Sequence, residues 1–406
     1  MVSDGGHIIT STNPSGHHSA RRDKKSNAAT GASAAGVRAF GSQALAFYFR
    51  APAKAFFRTR VDYLAFARAI NPRVQAQESW SLRLTTPALL AHAIRTHGWS
   101  FIPAHVLPPL LANVGIGAVL YTSYLQILGV LHPPSSRSLK RVYPPPPHSS
   151  TFTAGFAAGT IQSLIAAPLD ALSVRFRTSD ILSKRYTNMW SYSSQKLREI
   201  GPRGVFAGFG INCLKDSLGY GLFFMTFEFV KAQGYYRFVA MYYGDLLRGD
   251  LLSPILKPRL EESGGSGSVD VIRPHYAIEP VFLGLAGVAA SVAQQTVAHP
   301  VGRVQEIHHR SLEYLDREAR KEQSRGQMLR TYLAAYRRTW EICGARARKM
   351  GVGWRGWLFK GFWWGTIKLV PSTAAGLVIF EFVRKRYGVE VEEVRIEEDG
   401  YDILLT

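Results

Sequence analysis

Gly155-Phe-Ala-Ala-Gly159 begins an apolar run that reaches Ala166-Ala167, and Pro168-Leu-Asp170-Ala-Leu-Ser173-Val-Arg175 closes it. A polar segment follows and ends on Gly201-Pro-Arg-Gly-Val-Phe206-Ala-Gly208. The chain then turns apolar again, from Gly208 through Lys215-Asp216 to Phe227-Glu228-Phe-Val-Lys231. Each apolar run is close to the ~20 residues a helix needs to cross a bilayer core. Phe152 to Lys231 therefore reads as two membrane-length helices joined by a polar loop, with a Pro-Asp-Arg corner ending the first.

The unit recurs, and a repeat governs every later reading. Adding 153 carries Gly208, Phe209, Lys215, Phe227, Glu228, Phe229 and Val230 onto the identical residues Gly361, Phe362, Lys368, Phe380, Glu381, Phe382 and Val383. Adding 132 carries Gly155, Ala157, Ala158, Gln162 and Pro168 onto Gly287, Ala289, Ala290, Gln294 and Pro300. A fainter copy precedes both, with Ala51-Pro52 as its corner and Leu107 to Leu131 as its second helix. The fold expected is an all-α membrane protein of six transmembrane helices in three pseudo-threefold two-helix repeats. Repeat 1 is placed at 36–131, repeat 2 at 151–231 and repeat 3 at 280–388.

The spans differ in clarity. From Thr96 to Ser136 there is no Asp, Glu, Lys or Arg, although Pro103, Pro108 and Pro109 crowd the start. Residues 280–301 are again uncharged. Residues 36–51 are the weakest span, because Arg38 and Arg50 bracket a run of only eleven. Residues 1–35, rich in Ser, Gly, Asn and His, read as a disordered tail. They lack the apolar core of a signal peptide. Residues 234–274 read as an insertion with a flexible Gly264 to Ser268 middle. Residues 389–406 read as an acidic, disordered tail.

The formal charge is +20, a value that also suits nucleic-acid binding. Its distribution argues otherwise. The stretches 53–97, 171–204 and 303–355 carry +17 of it, while the alternate connections 131–150 and 231–279 carry +3. Basic loops on alternate sides fix membrane orientation, and no nucleic-acid motif accompanies the charge.

Catalytic or metal chemistry has little to work with. Cys213 and Cys343 are the only cysteines, too few for a disulfide framework or a cysteine-rich metal site. Cys213 reads as a packing residue. His17-His18 reads as a solvated pair. His308-His309 lies in a charged stretch and is expected at the surface. No phosphate-binding glycine loop or nucleophile-base pairing is present. No enzyme activity, cofactor or metal is expected.

Three repeats of about 100 residues, each with a proline corner and a downstream glycine-aromatic element, resemble the mitochondrial carrier family. The resemblance covers roughly residues 36–388. The family's odd-helix signature is Pro-x-Asp/Glu-x-x-Lys/Arg-x-Lys/Arg. Pro168, Asp170 and Arg175 match it, with Ser173 where a cation belongs. Pro300 matches, but Gly302 and Gln305 replace the acid and the base. Pro52 matches, while Lys54 and Phe57 break the pattern.

The resemblance implies a six-helix barrel around a central cavity, closed alternately by a matrix-side and a cytosolic-side network of ion pairs. The cytosolic pattern, aromatic-acid-x-x-base, is met by Phe227-Glu228-x-x-Lys231 and Phe380-Glu381-x-x-Arg384. Thr122, Ser123 and Gln126 take those places in repeat 1. Helix-end pairs spaced i,i+3 without a gate role give the same pattern. The matrix side lacks most of its charged partners and is expected to be weakly held, so that reversing Glu228 or Glu381 disturbs function more than losing Asp170.

Family substrate contacts lie seven residues past the glycine of the even helix. That spacing selects Lys215, with Asp216 beside it, Lys368, and Leu110 in repeat 1. A lysine inside a membrane helix needs water, a counter-ion or a substrate. The implied substrate is a small anionic or zwitterionic metabolite, such as an amino acid or carboxylate. A Lys–Asp pair that only ties helices together is the plainer reading. The implied setting is the inner mitochondrial membrane, as a monomer, with both termini in the intermembrane space. Arg337-Arg338 and Arg346 to Lys349 face anionic lipid such as cardiolipin, or else form a solvated helical face. The alternative to transport is a degenerate carrier-like scaffold, at the outer membrane or elsewhere, with no transport activity.

Overall fold

The computed structural model describes residues 62, 64–75, 86–136, 142, 144–176, 188–248, 259–261, 270–275, 278–321, 325–367, 394–398 and 401–405. The expected first span at 36–51, Pro52, Lys54, Lys368, Glu381 and Arg384 lie outside these residues, as do the expected tail at 1–35 and most of the sixth span.

Short helices α1 (Ala65–Ala69), α2 (Pro72–Gln75) and α3 (Thr86–His97) lead to α4 (Leu107–Leu131). The prolines crowding that approach find harmless places. Pro103 lies at the start of a π-helical turn, Ile102–Val106, and Pro108 and Pro109 occupy the first turn of α4. First-turn N–H groups have no helical partner, so proline costs little there.

After the extended Pro147, α5 runs from His148 to Arg175, with Pro168 inside it. Helix α6 (Met189–Phe206) bends at Gly201, whose φ of 64° is in the left-handed region, and Pro202 follows. Asn188 caps its start by accepting a hydrogen bond from the Ser191 N–H. Helix α7 spans Phe209–Glu228 and passes through a π-helical turn, Phe229–Gly234, into α8 (Tyr235–Arg248). Strands β1 (Arg259–Glu261) and β2 (Asp270–Arg273) precede α9, which is continuous from Ile278 to Lys321. Helix α10 (Arg325–Lys349) folds back on α9, and α11 (Gly353–Phe359) follows. The enlarged third loop is thus a helical hairpin.

Among the described residues, three helical stretches are long and apolar enough to cross a membrane: Ile102–Leu131, His148–Arg175 and Ile278–Leu312. Helix α7 is the fourth wall. It packs between α5 and α9, while α4 packs on the other flank of α5. The four stand in chain order, α4-α5-α7-α9, as consecutive staves.

Small residues permit the closest seam. A Cβ on Gly155 would lie 2.6 Å from the Tyr220 carbonyl oxygen, and one on Gly159 would lie 2.7 Å from that of Asp216. Only a backbone without side chains can approach that near, the usual device between membrane helices. Leu120, Tyr121, Tyr124, Leu128, Ala154, Ala158, Phe223, Phe224, Phe227, Ala286 and Ala290 form one core across all four helices, and the Tyr124 and Phe224 rings stack at 3.7 Å. Outward positions are apolar instead of polar: Ile161, Leu164 and Ile165 on α5, Leu214 on α7, and Val281, Leu285 and Val288 on α9 are exposed. Helices apolar on their outer faces as well as their inner ones suit lipid, not water.

Two expectations need correction. The insertion and the tail are not purely irregular: β1, β2, β3 (Val394–Glu398) and β4 (Tyr401–Leu405) form a four-stranded sheet in the order β1-β2-β4-β3. The β2–β4 pair is parallel, with Ile272 opposite Ile403. The described chain is therefore mostly helical but not all-α. Acidic and glycine-rich composition hid short strands that pair across a long sequence separation. Residues 264–268 lie outside the described set. The second correction is His308, which is fully buried. It stacks on Tyr336 at 4.4 Å and lies 3.0 Å from Thr339 Oγ1 and 3.3 Å from the Ala207 carbonyl. The fold-back of α10 covers it.

Candidate functional site

The site is built where α5, α7 and α9 meet at the corner end of the four-helix wall. Helix α5 brings Asp170, two residues past Pro168. Helix α7 brings Asn212, Lys215 and Asp216. Helix α9 brings Gln305, five residues past Pro300. Long side chains on a helix lean back toward its N-terminus, which directs Lys215 toward the corner, where α7 begins at Phe209.

These groups form a chain of hydrogen bonds. Asn212 Nδ2 donates to Asp170 Oδ2 at 2.9 Å. Gln305 Nε2 donates to Asn212 Oδ1 at 2.5 Å, and Lys215 Nζ donates to Gln305 Oε1 at 2.7 Å. Lys215 Nζ also stands 3.7 Å from Asp216 Oδ1. Lys215 and Asp216 are each 8% exposed. Burying either charge alone would be expensive, and a partner with hydrogen bonds offsets that cost. Leu214, beside them, faces outward at 53% exposure, so α7 turns its charges inward and its leucine to the lipid side.

The corner is therefore not empty on the side where charged partners are missing. Gln305 and Asn212, uncharged amides, occupy the places between Asp170 and Lys215. A scan for ion pairs passes over them because an amide carries no charge, yet each amide both donates and accepts. The signal was legible in one respect: Gln305 falls at the position of the missing base.

Arg175, the other corner residue, reaches α6. Its guanidinium is buried and donates to the Ala171 and Gly204 carbonyls at 3.0 and 3.2 Å, tying α5 to α6. Ser173 donates to the Asp170 carbonyl at 2.9 Å. A small cavity beneath the corner is lined by Asp170, Val174, Arg175, Gly208, Asn212 and His309. Pro300 sits inside α9 and leaves it continuous. Leu110 is half-buried on α4, and Gln162 of α5 reaches the Ile116 carbonyl on that helix at 3.5 Å.

At the far end of α7, Lys231 Nζ lies 3.5 Å from Glu228 Oε1 and 5.4 Å above the Phe227 ring. This is the helix-end i,i+3 pair.

Beyond the membrane wall, Ala207, Leu312, Leu315, Tyr332 and Ala335 bind the α6–α7 junction to the α9–α10 hairpin. Tyr336 donates to the Ala207 carbonyl at 2.8 Å, and burial pushes its phenol pKa up, which keeps it a donor. Burial likewise pushes the Cys343 thiol up, and Cys343 is wholly enclosed. Among the described residues no group of three or more His, Cys, Asp or Glu side chains is placed to hold a metal.

Residues 145–236, which contain α5, α6 and α7, match the family described as mitochondrial carrier protein. Over these residues the chain is similar to the mitochondrial carrier family. Its members are transporters rather than enzymes. The chain is 30% identical over 127 residues to solute carrier family 25 member 45 of Mus musculus, covering 30% of this chain and 43% of that protein. It is 30% identical over 87 residues to a mitochondrial arginine transporter of Arabidopsis thaliana, covering 21% and 28%. It is 28% identical over 167 residues to a mitochondrial glycine transporter of Ajellomyces capsulatus, covering 38% and 45%. The match spans less than half the length of each of these relatives. No solved structure matches the chain.

Proposed function

We propose that this chain moves a small zwitterionic or anionic metabolite, an amino acid foremost, across the inner mitochondrial membrane by alternating access. The observation that carries this reading is the adjacent, buried Lys215–Asp216 pair on α7, an ammonium and a carboxylate 3.7 Å apart. An amino acid presents the complementary charges at similar separation, so it can replace each partner with its own group. Relatives named as arginine and glycine transporters support this substrate class. Lys368, at the matching repeat position, adds a second cation, and Leu110 an apolar wall. Both belong to the proposal, as do Glu381 and Arg384 as gate partners of Glu228 and Lys231.

In this setting the basic loops face the matrix and both termini the intermembrane space, and the protein works as a monomer. The Arg337-Arg338 and Arg346 to Lys349 surface then lies near anionic head groups such as cardiolipin. The exposed Trp340 and Trp354, whose rings lie 5.8 Å apart, suit the same interface. A tag after Thr406 should be cleaved by protease once the outer membrane is ruptured.

The experiment is reconstitution in liposomes with labelled amino acids, carboxylates, nucleotides and phosphate. Uptake of one amino acid or carboxylate is expected. Lys215→Ala and Lys368→Ala should each lower it roughly ten- to hundredfold, since a hydrogen bond to a charged group contributes about 1.5–3 kcal/mol. Lys368→Arg should keep part of it, because charge persists while geometry changes. A well-folded preparation that transports none of these compounds would favour the scaffold reading. Gly302 and Gln305, at the places of the missing corner charges, are the residues that motivate it.

A further inference from the structure

We infer that Lys215 is the positive end of the corner-side latch, and that Gln305 and Asn212 carry its hold across to Asp170. The inference deepens the transport reading and rests on it. In the signature, the cation that faces the corner acid comes from an odd helix. Here that position is Gln305, and the cation linked through it to Asp170 is Lys215, on an even helix and also part of the substrate pair.

The geometry supports a single unit. Three hydrogen bonds of 2.7, 2.5 and 2.9 Å join Lys215, Gln305, Asn212 and Asp170 in series, and they cross from α7 to α9, back to α7 and then to α5. Every donor meets an acceptor in order: ammonium to amide oxygen, amide nitrogen to amide oxygen, amide nitrogen to carboxylate. The ammonium polarises Gln305, which makes its N–H a better donor to Asn212, and so on to the anion. Series of this kind strengthen one another. Parting α5 from α9 at the corner breaks the chain at Asn212. Taking the lysine away weakens it from the other end.

Substrate and latch therefore compete for one ammonium. A substrate carboxylate that engages Lys215 withdraws it from Gln305, which loosens Asn212 and releases Asp170. Asp216 receives the substrate's amino group and holds it in place of the lysine. Occupancy of the pair is thereby linked to release of the corner, through Gln305 and Asn212 acting as positioning residues that touch no substrate. An anionic substrate that cannot satisfy Asp216 would unlatch the corner less well than a zwitterion.

The test exchanges the two ends of one hydrogen bond. Lys215→Gln, Gln305→Lys and the double swap are purified as full-length chains in detergent, and thermal unfolding is followed for each. In the swap, a lysine at 305 can still donate to Asn212 Oδ1 and to the new amide at 215, so each link keeps a donor and an acceptor. Lys215→Gln should lower Tm, and the swap should recover at least half of that loss. A swap no more stable than Lys215→Gln overturns the inference. Should neither protein fold, Asp170→Asn and Gln305→Leu are combined instead. These residues are joined through Asn212, so their Tm losses should be non-additive, and simple additivity overturns the inference.

Uptake of labelled arginine and glycine by the same proteins separates the two readings. A swap that restores Tm but not uptake supports both the latch and the ligand role of Lys215. A swap that restores Tm and takes up substrate at the unmodified rate keeps the latch and removes Lys215 as a ligand. Loss of uptake in Lys215→Gln without recovery of Tm in the swap overturns the latch and leaves the transport reading standing.

Discussion

The two ends of α7 handle charge in opposite ways. Near its start, Asn212 and Lys215 reach across to α5 and α9, and the buried lysine is held by groups on two helices. Near its finish, Glu228 and Lys231 pair along the same helix at 3.5 Å. An interhelical chain resists separation of the helices it joins, whereas an i,i+3 pair travels with its own helix. Among the described residues, hydrogen bonds between α5, α7 and α9 therefore mark the corner end, and a pair within one stretch of chain marks the other.

The sharpest way to break this contrast is to wedge the helices apart beneath it. Gly159→Leu puts a side chain where its Cβ would sit 2.7 Å from the Asp216 carbonyl oxygen, a backbone atom that cannot step aside. Overpacking typically costs 1–3 kcal/mol, and about 3 kcal/mol or more is expected here. The prediction is loss of the monodisperse folded peak in size exclusion. Gly219→Ala is the control: its added methyl meets Gln294 Cγ at an ordinary 3.5 Å and should leave Tm nearly unchanged. Equal behaviour of the two variants would mean the α5–α7 seam is not as close as described.

Next in size is the direct comparison of the two ends. Asp170→Ala leaves the Asn212 N–H without its carboxylate and should cost about 1.5–3 kcal/mol in an unfolding titration. Glu228→Gln removes an i,i+3 pair worth about 0.2–0.5 kcal/mol. If Glu228→Gln proves the more costly change, its end is held by more than the local pair and the contrast inverts.

A third variant probes the hairpin that backs the corner. Tyr336→Phe deletes the donor to the Ala207 carbonyl. About 1 kcal/mol of stability should go with it, read as a drop in Tm with the helical circular-dichroism signal preserved. An unchanged Tm would mean that the junction before α7 does not depend on α10.

The smallest effect is chemical. Cys343 is enclosed and its thiol pKa is raised by burial, so less thiolate is present at any pH below that raised value. In a Cys213→Ser background, maleimide at pH 8 should label Cys343 at least tenfold more slowly than in denaturant. Equal rates would place α10 away from α9.

Much of the wall was legible because recurring residues constrain more than one stretch of the chain at once. Pro168 and Pro300, with Gly155 and Gly208, located α5, α7 and the start of α9 without any reference to contacts. The inward turn of Lys215 followed from the cost of placing an ammonium in lipid. The relay was not legible, because Asn212 and Gln305 register in a sequence as charges lost instead of bonds made. His308 was misplaced because its neighbours Glu306 and Arg310 are exposed and charged, while the helix face between them is covered by α10. The sheet was missed because Val394–Glu398 and Tyr401–Leu405 are brief alternations with a distant partner, and such pairing leaves no local mark.

That distant pairing bears on the order in which the molecule is put together. Ile272 and Ile403 stand opposite each other in a parallel pair, so the chain from 273 to 402 is looped out between them. Contacts of such separation carry a large closure entropy and form late. Strand β2 emerges during synthesis or import well before β4 exists to receive it. The clasp closes only after α9, α10 and α11 have passed through, which makes it a seal on a finished assembly. A chain stalled before 401 would carry β2 without its parallel partner.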